Sequence, residues 1–283
     1  MTPPEAGTIE RWAWDYIHAA DLGSKLSPKP PPDKDDPRRW EALPSRRRLR
    51  EPGRPPELRV TERADKTRGL MAPAGRARAL HTFLHHELQA AELMAWAILA
   101  FPEAPTEFRE GLLRIALDEV RHMRLYAEQI ERLGHRVGEF PVRDWFWVRV
   151  PTCRDPAAFV AVMGLGLESA NLEHTASFAA RFRQAGDEEG ARVQEVVGRE
   201  EIAHVRFGVR WFEHFTGGVD FSAWTRALPE PLTPLMMRGR PIHREARRRA
   251  GQPERFIDAL DAWRPEGDDG ARSSQRSSEP TGA

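Results

Sequence analysis

Apolar residues recur at intervals of three and four along four long stretches of this chain, and no alternating stretch competes with them. That period predicts helices rather than strands. The first stretch runs from about Gly75 to Ala100 and stops at Phe101-Pro102. The second runs from about Thr106 to Leu133 and meets Gly134, a residue type that commonly ends helices. The third starts near Asp155-Pro156, a cap followed by a first-turn proline, and ends near Gly186. The fourth covers Asp187 to about Phe215, before Gly217-Gly218. Two of the connections are only a few residues long, so each flanking pair is expected to form an antiparallel hairpin. The connection His135 to Arg154 is longer and carries Trp145, Phe146 and Trp147. Two hairpins joined by a long crossover make one of the common four-helix-bundle topologies, and the expected fold is all-α.

Outside these stretches the pattern changes. Thr8 to Lys25 reads as one short amphipathic helix, with Ile9, Trp12, Tyr16 and Ala20 at helical spacing. Ser27 to Pro56 holds nine prolines and the basic run Arg46-Arg47-Arg48; proline lacks the amide donor that helices and central strands need, so this segment should be extended. Pro229 to Pro241 and Pro253 to Trp263 are expected to pack a loop and a short helix on the bundle. Arg264 to Ala283 is almost devoid of apolar residues and is expected to be disordered. The resulting division is 1–72 for the N-terminal helix and Pro-rich segment, 73–216 for the bundle, 217–263 for a C-terminal extension, and 264–283 for the tail.

The core-facing stripes contain residues that do not belong in an oily core. The first helix reads Leu80, Leu84, Glu87, Ala91, Met94, Ile98, and the second Leu112, Ile115, Glu119, His122, Tyr126. The third reads Ala161, Leu165, Glu168, Leu172, Thr175, Ala179, and the fourth Gln194, Val197, Glu201, His204, Gly208, Trp211, Phe215. Each stripe carries a glutamate near mid-helix, and in the second and fourth a histidine follows on the same face. Burying one unpaired carboxylate costs several kcal/mol, so four in one layer need a positive partner. The charge of four ionised glutamates equals that of two divalent cations. Oxygen and imidazole donors suit Fe or Mn, and the single cysteine, Cys153, leaves no thiolate zinc site. Glu87 and Glu119 are 32 residues apart, and Glu168 and Glu201 are 33. Folding each hairpin therefore brings its motifs to the same height, a pseudo-twofold repeat suited to two metals.

The segments His86-Glu87-Leu88-Gln89-Ala90, Asp118-Glu119-Val120-Arg121-His122 and Glu200-Glu201-Ile202-Ala203-His204-Val205 resemble the ferritin-like diiron-carboxylate superfamily. Within it, they are most similar to a bacterial ferritin-like family catalogued as a domain of unknown function. The resemblance covers roughly Arg76 to Phe215. It implies a ferritin-like four-helix bundle with Glu87, Glu119, His122, Glu168, Glu201 and His204 as metal ligands, and Glu119 and Glu201 as the bridging carboxylates. It also implies that Asp118 and Glu200 orient a ligand histidine of the other hairpin, where Glu200 stands in place of the commoner Asp.

Other candidates weigh less. Glu92 and Glu173, each five residues after a stripe glutamate, point about 140° away from it at 100° per residue and are read as supporting or surface groups. His85, His86 and His174 lie near the layer but off the stripe and are read as ordinary polar contacts. Tyr126 and Trp211 are read as packed aromatics ahead of a part in oxidative chemistry, and Trp145 and Trp147 as a cap on the bundle ahead of the lining of a substrate entrance. Lys and Arg number 43, as do Asp and Glu. That balance argues against a dedicated nucleic-acid binder and assigns Arg46 to Arg50 and Arg244 to Arg249 to solvated or ion-paired surface. The longest apolar run, Ala157 to Leu167, is far below the ~20 residues that span a bilayer, and Met1 to Glu10 lacks the features of a signal peptide. The expectation is a cytoplasmic protein, compatible with a homo-oligomer. The leading functional reading is an oxidase or hydroxylase that activates O2 or peroxide for an unidentified substrate. The alternative is iron handling of the ferritin or rubrerythrin kind, and a metal-free binding bundle comes third.

Overall fold

The computed structural model describes residues 1–62 and 69–265. Only the first two residues of the expected disordered tail fall within them; the rest of that expectation lies outside the described residues. The chain is all-α. Its long elements are α3 (Pro73–Ala100), α4 (Thr106–Arg132), α6 (Ser169–Gln184) and α7 (Glu188–Thr216), and α3 packs along α4 as α6 does along α7. Preceding them are α1 (Ile9–His18) and α2 (Leu22–Leu26); α5 (Pro156–Val162) leads into α6, and α8 (Phe221–Ala227), α9 (Arg244–Arg249) and α10 (Glu254–Ala262) follow.

Local chemistry sets the ends of these helices. Pro73 opens α3 at a position where its missing amide costs nothing. Asp155 caps α5 by accepting from the Ala158 amide, and Asp187 caps α7 by accepting from Gly190. Gly217 closes α7 with φ 81°, in the left-handed region that suits glycine. Every stripe residue named above is buried except Phe215, which is half-buried.

The third helical stretch is not uniform. Met163–Glu168 is a π-helical turn between α5 and α6. There the chain meets α7 backbone to backbone: a Cβ on Gly164 would lie 2.5 Å from the Gly208 Cα. The Ser169 hydroxyl donates to the Gly164 carbonyl at 3.0 Å, satisfying an acceptor within the widened turn. The N-terminal helix also differs from expectation, because Thr8 to Lys25 is two helices. Asp21 starts the second by accepting from Ser24, and the chain turns so that Lys25 donates to the Tyr16 and Ile17 carbonyls at the end of α1.

The Pro-rich segment forms neither helix nor strand and contains several turns; beyond it an isolated β-bridge joins Val60 to Val142. The segment runs over α3, where the Trp96 indole donates to the Leu49 carbonyl. Together with α1 it buries α3 on nearly all sides. The C-terminal extension covers the other hairpin. Trp224 donates to the Ala161 carbonyl, and Arg247 is fully buried against Glu173 at 2.7 Å. Arg247 thus departs from the surface role expected of its run; the other basic residues mostly make ion pairs, as Arg46 does with Glu103.

Glu92 and Glu173 are not surface groups: both are buried and neutralised. Glu92 is fully buried between Lys25, Arg54 and the Trp147 indole. Glu173 accepts from Arg247 and from the Gly239 and His243 amides. Each extension therefore supplies the cation for one of two corresponding positions in the hairpins. Breaking a buried pair strands a charge, so Arg247→Met should cost about 3–5 kcal/mol. Glu173→Gln added to Arg247→Met should recover part of that loss, as urea unfolding of the two variants would measure.

Candidate metal centre

Eight acidic side chains are buried among the described residues, and they divide evenly. Glu10 pairs with Arg109, Glu92 with Lys25 and Arg54, Glu173 with Arg247, and Asp187 with Arg76. Glu87, Glu119, Glu168 and Glu201 pair with no Lys or Arg. They converge instead with His122 and His204 at the middle of the bundle, one glutamate from each of its four strands of helix.

Their donor atoms form two groups, each lying within 4.8 Å of one another. Glu87, Glu119, His122 and Glu201 make the first; Glu119, Glu168, Glu201 and His204 make the second. Glu119 and Glu201 belong to both. All six residues singled out by the sequence are thus brought together, and all are buried. The His122 Nδ1 lies 2.9 Å from Glu119, and the His204 Nδ1 lies 2.9 Å from Glu119 and 3.2 Å from Glu201.

The other nitrogen of each ring faces outward to the opposite hairpin. The His122 Nε2 lies 2.8 Å from Glu200, and the His204 Nε2 lies 3.4 Å from Asp118. A carboxylate only accepts, so it holds the proton on Nε2 and leaves Nδ1 to face the centre. Glu200 makes the shorter contact, its additional methylene giving it more reach than Asp118. Arg121 ties both together, donating to Glu200 at 2.9 Å and to Asp118 at 3.2 Å.

The electrostatics describe a surplus of negative charge. Burial raises Glu87 and Glu168 well above the usual carboxylate range, and the neighbouring glutamates raise them further. Burial also opposes ionisation of Glu119, but His204 and His122 overcome it and hold its carboxyl below the usual range. Burial works against an imidazolium too, yet Glu119 and Glu201 raise both histidines above theirs. One carboxylate oxygen of Glu119 and one of Glu168 are buried without a hydrogen-bond partner. Buried oxygens without donors, paired with inward imidazole nitrogens, suit a metal ion.

Several neighbours carry no signal in the helical stripes. Asn171 donates to Glu201 at 2.9 Å; it follows Glu168 by three positions, the spacing that also separates each motif glutamate from its histidine. Arg121 is the residue before His122, and only the packing of α4 on α7 gives it two partners. The His85 Nε2 donates to the Asp144 carboxylate at 2.8 Å, and Asp144 also holds Arg54. Tyr126 is a packed aromatic against Phe83, as expected, and Trp211 packs on Phe108. Trp147 does close the bundle, but Trp145 and Phe146 line a cavity of about 400 Å³ that also touches Glu87 and Glu168.

A family described as "Protein of unknown function (DUF455)" matches residues 17–258, and the chain belongs to it. A curated protein of Haemophilus influenzae, named "Uncharacterized protein", is 29% identical over 153 residues. That match covers 51% of this chain and 53% of the relative, so the chain spans about half the length of the curated relative it matches. No solved structure matches. No helix among the described residues is long and apolar enough to cross a membrane.

The surplus charge has a measurable cost in chelator-treated protein. Folded Glu87 holds its proton to higher pH than it does in the unfolded chain. Above the ordinary value of 4.5 the folded state therefore binds more protons, and stability falls as pH rises. Glu87→Gln should reduce that slope, leaving the share due to Glu168, and stabilise the metal-free protein at neutral pH by about 1–3 kcal/mol, read from melting curves across pH.

Proposed function

We propose that this chain holds a dinuclear divalent-metal centre, two irons or an iron–manganese pair, and uses it with O2 or peroxide to oxidise or hydroxylate a small substrate. The observation that carries this reading is the pair of buried donor groups sharing Glu119 and Glu201, with no Lys or Arg among them. In this reading Glu87, Glu119, His122 and Glu201 would hold one ion, and Glu119, Glu168, Glu201 and His204 the other. Oxygen and imidazole donors without thiolate favour Fe or Mn. When bound, such a pair supplies redox equivalents and Lewis acidity to an oxygen co-substrate.

The protein's own residues supply placement, proton control and access. Asp118 and Glu200 keep the Nε2 protons of the two histidines, so each Nδ1 offers a lone pair inward. Asn171 holds one oxygen of Glu201 and so limits how that carboxylate swings. Tyr126, Leu84 and Leu112 pack the layers beside the centre and exclude water. The cavity at Glu87 and Glu168 offers an organic molecule a way in. Iron storage would need passage only for ions, so a cavity with aromatic walls supports substrate oxidation over the iron-handling alternative.

Metal analysis by mass spectrometry after iron-replete expression should find two ions per chain, one for each donor group. Glu119→Ala or Glu201→Ala should lose both. Glu200→Ala should retain the fold and weaken metal affinity roughly 10–100-fold, read by competition with a chelator. Reduced, iron-loaded protein should consume O2 at an electrode, and the Glu201→Ala protein should not. Purified protein without metal that takes up none on reconstitution overturns the reading.

A further inference from the structure

The cavity beside the four glutamates is graded from solvent to core. Thr82, Arg143, His174 and Met236 line it and are exposed; Phe83, His86, Trp145 and Phe146 are half-buried. Glu87, Ala90, Glu168 and Ala170 are buried. The cavity thus leads inward to Glu87 and Glu168, the two carboxylates that the donor groups do not share. At about 400 Å³ it falls among small-molecule sites, well short of a groove for a polymer.

Its walls are flat rings. His86 stacks on Phe146 with centroids 5.0 Å apart and 22° between planes, and Trp145 meets Phe146 edge-on at 5.7 Å. Phe83 also lines the cavity, held edge-on by Phe178 at 4.7 Å. Rings fixed by such contacts favour a planar apolar body over a branched one.

Charge differs between the two ends of the cavity. Arg78 and Arg143 line the cavity, whereas its carboxylates, Glu87 and Glu168, sit at the buried end. Asp144, next to Arg143, is taken by Arg54 and His85. Burial and the nearby positive charge of Arg143 both lower the pKa of Arg149, whose guanidinium lies over the Trp145 ring. The exposed Arg143 therefore stands at the outer end of the cavity, where a cation attracts an anion.

We propose that this cavity binds a small organic anion, a planar aromatic body carrying a carboxylate or phosphate, with the body against the lining rings and the anionic group on Arg143. The inference rests on the metal-centre reading for what happens at the inner end, while binding itself is measured without it. The ligand's far edge would meet Glu87 and Glu168, so a molecule anchored at the rim presents its opposite end to the centre.

Binding of 1-naphthoate, 1-naphthyl phosphate and neutral 1-naphthalenemethanol to the full chain tests this, with calorimetry as the readout. Both anions should bind at least tenfold more tightly than the alcohol, and whichever anion binds more tightly identifies the preferred head group. Arg143→Gln should weaken the anions about tenfold, the loss of one charge-assisted contact, and leave the alcohol unchanged. Ala170→Trp should block all three ligands. Circular dichroism and metal content, measured on the same samples, keep misfolding and metal loss apart from ligand loss. Equal affinity for anions and alcohol, or anion binding indifferent to both substitutions in folded protein, overturns the proposal. Protein that takes up no metal yet binds the anions in an Arg143-dependent way supports this site and defeats only the metal-centre reading.

Discussion

Four carboxylates in one buried layer repel one another, and the middle of this bundle is arranged around that repulsion. Elsewhere in the interior the chain answers a buried acid with a guanidinium or ammonium group, as Arg109 does for Glu10 and Arg247 for Glu173. At Glu87, Glu119, Glu168 and Glu201 the described residues supply two imidazoles and no lysine or arginine. Two histidines balance only part of four negative charges even when both are protonated. A fold selected for stability alone would place apolar side chains there, since well-packed hydrophobic residues commonly match or exceed a buried ion pair. The layer makes physical sense as a receptor for cations.

The two hairpins repeat one another closely enough to build a site with two equivalent halves. Each contributes a lone glutamate, then a glutamate with a histidine three positions on, and each sends a carboxylate across to the other's histidine. The repeat extends to Glu92 and Glu173, which are buried and neutralised in turn by the N-terminal and C-terminal extensions. The extensions therefore act as matching covers, each locking a hairpin through one buried charge. The halves part company at the π-helical turn before Glu168 and at the crossover, whose aromatic and basic residues line the cavity on one side only. Symmetry serves the donor groups, and asymmetry serves access.

Much of this was legible in the sequence because helical periodicity is a local property. A stripe read every three or four residues tells which side chains face inward, and four such stripes place a glutamate at a common height once the short connections are folded. Hence the bundle, its helix ends and the six converging residues follow from spacing and charge. The contacts of Asp118 and Glu200 were legible through resemblance and were then met by actual distances. Less was legible where a residue's role depends on a distant segment. The exposed or buried status of Glu92, Glu173 and Arg247 is set by partners 38 to 74 positions away, and periodicity carries no information about them.

The sequence by itself determined which faces are apolar, where the helices stop and which polar residues must share the core, since these depend on neighbours within a turn or two. Tertiary structure alone decided that Thr8 to Lys25 breaks into two helices, because Lys25 must fold back onto the end of α1 to reach Glu92. It also decided that Gly164 and Gly208 touch and that the turn before Glu168 widens. The cavity belongs to the same category: Trp145 and Arg143 come from the crossover and meet His86 of α3 and His174 of α6 only when the hairpins pack. A concave surface assembled from separate segments has no periodic signature, whereas a buried charge on a helix does.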